Sequence, residues 1–178
     1  MKCNIFNSSG ASYEAYIKLV GGIYGNYPAY LRVKTDEFVK STSAENPFFR
    51  RGRAESIIVS DGGDILAHGI IAKDDRLPEG VAHLGYFESQ NTEKGAEYFF
   101  ESLKKYCRSH GISTLRGPIN FTVWHTFRAS LEGGSPPFFT EPYNPSYYSG
   151  FFRGAGFKNI LEYYSSAEDL GPGRENTD

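Results

Sequence analysis

The sequence predicts an α/β fold in layered α+β form: a mixed, mostly antiparallel central sheet with helices on both faces. Three observations predict it. Two β-branched segments flank Asp61-Gly62-Gly63-Asp64, the composition of a primed hairpin turn, so the middle of the chain is an antiparallel pair. A strand–helix–strand order follows from Val81 to Leu115, and joining parallel strands requires such a crossover. Two helix-period segments precede the hairpin and two follow it, enough for a layer on each face.

Residues 2–6 read as a short first strand. Ser12–Val20 reads as a helix, because Tyr13, Tyr16, Ile17 and Val20 recur at helical spacing, with Ser12 as its N-cap. Gly21-Gly22 and Gly25 end it, and Asn26-Tyr27-Pro28 is a turn, since the residue before proline avoids the helical region. Lys34–Ser43 is a second helix with Phe38 and Val39 inward, broken by Asn46-Pro47. Ala54–Ser60 and Ile65–Lys73 are the hairpin strands, and Val81–Glu88 is a third long strand after a polar loop. Asn91 to Ala96 is a connection. Glu97–Ser109 carries an apolar stripe of Tyr98, Phe99, Leu103, Tyr106 and Cys107, with His110-Gly111 at its C-terminus. Ile112–Leu115 is a strand stopped by Arg116-Gly117-Pro118. Phe121–Tyr143 is a long irregular stretch holding Trp124, His125, Gly133-Gly134 and Pro136-Pro137, too aromatic for disorder. Asn144–Arg153 is a helix with Pro145 at its first position, ended by Gly154 and Gly156. Asn159–Ser165 is a last strand, and a polar tail follows, with 1–168 forming one domain and 169–178 the tail.

Composition narrows the function. The chain has 178 residues and net charge −2, a length that fits one domain. Its 14 Phe and 13 Tyr, against 1 Trp and 1 Met, require a core built on rings. Mild acidity argues against nucleic acid as a partner, and no apolar run reaches the roughly 18 residues of a membrane helix. The start carries no apolar leader segment, and Cys3 and Cys107 form neither a CxxC nor a metal spacing. A cytoplasmic, reduced, metal-free protein is expected. No Walker A, Gly-x-Gly-x-x-Gly or Gly-x-Ser-x-Gly motif is present.

Five short blocks carry a resemblance. They are Asn46-Pro47-Phe48-Phe49, Leu84-Gly85-Tyr86-Phe87-Glu88, Arg116-Gly117-Pro118-Ile119-Asn120-Phe121, Pro136-Pro137, and Tyr143-Asn144-Pro145-Ser146-Tyr147-Tyr148 running into Ala155-Gly156-Phe157. With the element order over residues 2–165, they resemble an acetyltransferase-like branch of the GCN5-related N-acetyltransferase superfamily. Members of that branch often have two tandem domains. The resemblance implies acetyl-CoA or another acyl-CoA as co-substrate. It implies a pantetheine arm lying between two splayed parallel strands, here Val81–Glu88 and Ile112–Leu115, where its amides pair with free backbone groups like an added strand. The pyrophosphate would sit on the helix N-terminus after Gln90-Asn91-Thr92-Glu93-Lys94-Gly95-Ala96. The implied cofactor-binding residues are Tyr86, Phe87, Gln90, Lys94, Gly95, Ala96 and Asn120.

That loop departs from the superfamily pattern Gln/Arg-x-x-Gly-x-Gly/Ala, because Gly95-Ala96 come late and Asn91, Thr92 and Glu93 replace glycine. Phe152 stands where the superfamily often has its tyrosine acid, so Tyr147 and Tyr148, one turn earlier, are the candidate acids. Glu88, which shares a strand face with Tyr86, is the candidate base. His125 suits a base by its ordinary pKa but matches no motif. Arg50, Arg51 and Arg53 form a small basic rim. The expected reaction is acyl transfer to a small-molecule amine or a peptide amine. The alternatives are a non-catalytic CoA-binding or protein-interaction module, or one half of a two-domain acyltransferase; an aromatic-rich surface would suit a homodimer.

Overall fold

The computed structural model describes residues 1–7, 10–131, 141–166 and 168. The elements are β1 (Lys2–Asn7), α1 (Gly10–Tyr24), α2 (Pro28–Thr42), a 3-10 turn at Pro47–Arg50, β2 (Gly52–Asp61), β3 (Asp64–Asp74), β4 (Val81–Ser89), α3 (Glu93–Ser109), β5 (Thr114–Arg116) and α4 (Tyr148–Gly154). The strands form one sheet in chain order, β1 to β5. The β1–β2, β2–β3 and β3–β4 pairs are antiparallel, and β4–β5 is parallel. Asp61 and Asp64 pair across Gly62-Gly63, and both glycines have the positive φ that a primed turn needs.

The sheet is buried on both faces. On one face α3 and α4 pack Phe99, Phe100, Leu103, Tyr148 and Phe152 against Ile57, Val59, Leu84 and Phe87. On the other, Tyr16, Val20, Tyr24 and Phe38 of α1 and α2 meet Ile70, Ala72, Tyr86 and Phe121. Rings join edge to face or stacked throughout, as between Tyr16 and Phe38 at 3.9 Å.

Several boundaries differ from the sequence-based expectation. Helix α1 runs through Gly21-Gly22 to Tyr24, because Tyr16, Val20 and Tyr24 continue one buried stripe whose packing outweighs about 1 kcal/mol per glycine. Ser12 is therefore not a cap. It sits inside α1, buried, with its hydroxyl 2.5 Å from Ser56 Oγ. Helix α2 starts at Pro28, six residues early, and α3 starts at Glu93, so most of the expected connection is helical. Helix α4 starts late, at Tyr148. Asn144 instead bridges to Ser130, accepting from its N–H at 2.8 Å and donating to its C=O at 3.1 Å.

Asn159–Ser165 is not a strand. The segment pairs with no other among the described residues, and Ile160, Leu161 and Tyr164 are 81%, 72% and 88% exposed. Strand composition supplies no ladder unless a neighbouring edge is in reach. Gly133-Gly134, Pro136-Pro137 and the expected tail lie outside the described residues.

Candidate functional site

Strand β4 outlasts its parallel partner. Pairing with β5 ends at His83–Arg116, while β4 continues to Ser89. Beyond that point the chain at 117–120 lies directly against β4. Ile119 N–H donates to Leu84 C=O at 2.8 Å, and Tyr86 N–H donates to Asn120 Oδ1 at 2.7 Å. Two glycines permit this approach. A Cβ on Gly85 would stand 2.3 Å from Ile119 O, and one on Gly117 2.7 Å from Leu84 O.

Tyr86 marks a bulge, with φ of 47° next to a register shift between β3 and β4. Its carbonyl accepts from His68 Nδ1 at 3.1 Å. Burial lowers the His68 pKa to about 4, so the ring is neutral and its one proton lies on Nδ1. Nε2 then accepts from the Ser12 hydroxyl at 3.3 Å. Asn120 is fixed in turn: its Nδ2 donates to Glu37 Oε1 at 3.1 Å, and Thr126 Oγ1 donates to the same oxygen at 2.8 Å.

At the end of β4 a buried carboxylate gathers three donors. Glu88 Oε1 accepts from Lys34 Nζ at 2.7 Å, and Oε2 accepts from Tyr24 at 2.8 Å and Tyr148 at 2.7 Å. The Tyr148 oxygen also accepts the Ser89 N–H at 2.8 Å, and Tyr147 donates to Ser89 C=O at 3.0 Å. Tyrosine hydroxyls thus occupy the Ser89 backbone groups where a neighbouring strand would pair. Burial, and secondarily the Glu88 charge, raises Tyr24 and Tyr148 well above the ordinary phenol range and pushes Tyr147 up to about 12. All three are donors at neutral pH.

The start of α3 is open. The first intrahelical donor is Ala96 N, to Thr92 C=O at 3.1 Å, which leaves the N–H groups of Glu93, Lys94 and Gly95 without helical partners. The Thr92 side chain caps nothing, and its buried Oγ1 has no hydrogen-bond partner among the described residues. A cleft of about 450 Å³ beside this turn is lined by Tyr24, Tyr27, Gln90, Asn91, Tyr143 and Tyr147.

The structure brings Glu88, Tyr147 and Tyr148 together around Ser89, and Tyr86 with Asn120 at the bulge. It separates others. The Phe87 ring is core, against Phe99, Phe100 and Phe152. Gln90 Nε2 is committed to Ile65 C=O at 2.8 Å. Gly95 and Ala96 are buried, Gly95 packing on Leu66, and Lys94 is exposed. Phe152 is a core ring. Sequence reasoning missed Tyr24, Lys34 and Glu37. Tyr24 was legible as the next step of the Tyr16–Val20 stripe, whereas Lys34 and Glu37 carried no local signal.

One solved structure shares this architecture. The Bacillus subtilis protein YycN, a candidate acetyltransferase, superposes with a TM-score of 0.55 at 13% identity, covering 96% of this chain and 100% of its own. The chain has the fold of the GCN5-related N-acetyltransferases. AAC(6')-Iy, solved with the bisubstrate analogue CoA-S-monomethyl-acetylneamine, gives 0.48 at 10% identity over 95% of this chain and 99% of its own. Arabidopsis thaliana glucosamine-6-phosphate N-acetyltransferase gives 0.43 at 14% identity, over 95% and 100%. No family model matches the sequence, and no curated protein matches it significantly. Strand β4, the bulge at Tyr86 and the start of α3 border the place where the resemblance implies a gap beside β4; here residues 117–120 and the Tyr147 and Tyr148 hydroxyls occupy that edge of β4.

Proposed function

We propose that the chain is an acyl-CoA-dependent N-acyltransferase that moves an acetyl or other acyl group onto an amine. The observation that carries this reading is Tyr148. Its hydroxyl reaches through the sheet edge to Glu88 and Ser89, where β4 has lost its neighbour strand.

A phosphate-bearing thioester fits the residues at one end of the gap. The three free N–H groups of α3 and the orphaned Thr92 hydroxyl are donors for a pyrophosphate, with Lys94 adding positive charge. At the other end the fit requires exchange, because Asn120 and the tyrosines hold backbone groups that a pantetheine amide would use. Bound acyl-CoA supplies the activated acyl group. The Tyr148 hydroxyl turns from Glu88 to donate toward the sulfur as negative charge develops there. That turn frees a lone pair on Glu88 Oε2, which Tyr24 and Lys34 continue to hold in place, for a proton of the amine.

The test is release of free thiol from acetyl-CoA in the presence of a panel of primary amines. Amine-dependent release that falls in Tyr148→Phe supports the reading. Acetyl-CoA that binds but is never turned over supports the non-catalytic module, which the full commitment of both Glu88 oxygens favours.

A further inference from the structure

On the α2 side of Asn120 lies a second cleft, of about 850 Å³, whose walls include Glu37, Val39, Glu45, Trp124, His125 and Thr126. Its composition differs from the first. Trp124, the chain's only tryptophan, is 90% exposed, which is unusual for the largest apolar side chain unless its face has work to do. Glu37 spends one oxygen on Asn120 and Thr126, and its other oxygen carries no hydrogen bond among the described residues. Glu45 makes no side-chain hydrogen bond or ion pair among them either, and Lys40 is the cationic side chain in the lining. His125 is held by Thr122 Oγ1 at Nδ1, 3.1 Å, so Nε2 is left for the cleft; burial lowers its pKa. Glu37 ties the cleft to the reacting strand, because the Asn120 it holds is the acceptor for the Tyr86 N–H at the bulge.

We propose that this cleft is the acceptor site and that it takes a primary ammonium carried on an apolar or aromatic body. The ammonium is drawn by the free Glu37 oxygen and by Glu45, and the body lies on the Trp124 face and Val39, where a cation near the ring gains further attraction. His125 Nε2 takes one proton from the ammonium and passes it to water. The neutral nitrogen then attacks the acyl carbonyl: the C–N bond forms, the C–S bond breaks, and the second amine proton ends on the CoA sulfur. This inference rests on the acyltransferase reading above and names its substrate class.

The sole tryptophan makes the test direct and independent of turnover. Emission of Trp124 is titrated with 2-phenylethylamine, with anionic phenylacetate and neutral 2-phenylethanol as controls that keep the aromatic body and change the charge. A saturable change with the amine alone, weakened at least tenfold in Glu45→Gln and in Glu37→Gln, is the expected result. No change with the amine, or an equal change with all three compounds, overturns it. Circular dichroism of each variant checks that the fold is intact, and Glu45, which is exposed, serves where Glu37→Gln fails to fold. Calorimetry with acetyl-CoA on the same sample separates the two readings. Acyl-CoA binding without an amine response fails the cleft alone, and an amine response without acyl-CoA binding fails the acyltransferase.

Discussion

Glu88 is the residue on which the site turns. Its carboxylate is buried, and Lys34, which is only 21% exposed, supplies the opposing charge at 2.7 Å. Removing one partner of a buried pair is far more damaging than removing both. Lys34→Met is therefore expected to destabilise the fold by about 3 kcal/mol, and the double variant Lys34→Met, Glu88→Gln to recover most of it, measured by urea unfolding. Tyr148→Phe keeps the ring in its core but strips the Ser89 N–H of its acceptor. A loss of about 1–3 kcal/mol is expected, with a fall in acyl transfer on the order of 100-fold. His68 gives a pH dependence whose sign is fixed. Its folded pKa of about 4 lies below its ordinary value, so the unfolded chain binds the extra proton first. The stability it contributes is complete above about pH 6.5 and is lost as pH falls toward 4. The melting temperature should drop across that window, and His68→Gln should flatten the drop.

Among the elements, the approach of residues 117–120 to β4 positions Asn120. Gly85→Ala drives a Cβ into Ile119 O and is expected to destabilise by more than about 2 kcal/mol while releasing Asn120 from Tyr86. Gly150→Ala in α4 meets nothing within 4 Å and should instead stabilise by about 0.5–1 kcal/mol. Paired thermal melts check both signs. The elements also show what was legible. The central hairpin was, because β-branched strands and Asp-Gly-Gly-Asp are local signals. The starts of α2, α3 and α4 were not. Tertiary packing extends α2 and α3 beyond their periodic stretches, and Asn144, a good cap by composition, is claimed by Ser130. The strand expected at 159–165 failed for the same reason in reverse, since its local preference finds no edge to join.

Across the whole molecule, the two aromatic layers meet at β4. Phe87 faces α3 and α4, Tyr86 and Glu88 face α1 and α2, and Tyr148 crosses from the first layer to the second. Sequence could place Glu88 and Tyr148 near one another only through the resemblance, because 60 residues separate them. It could not supply Lys34, Tyr24 or Glu37, whose roles arise only when α1 and α2 fold over the strand. That assembly makes sense as machinery if a thioester enters beside the end of β4, beyond residues 117–120, where tyrosine hydroxyls now hold the Ser89 backbone. Calorimetric titration of the chain with acetyl-CoA, with des-phospho analogues for comparison, tests this most directly. The account predicts binding in the micromolar range that weakens when the phosphates are removed and when Thr92→Val removes the orphaned hydroxyl. No heat of binding at millimolar acetyl-CoA would contradict it.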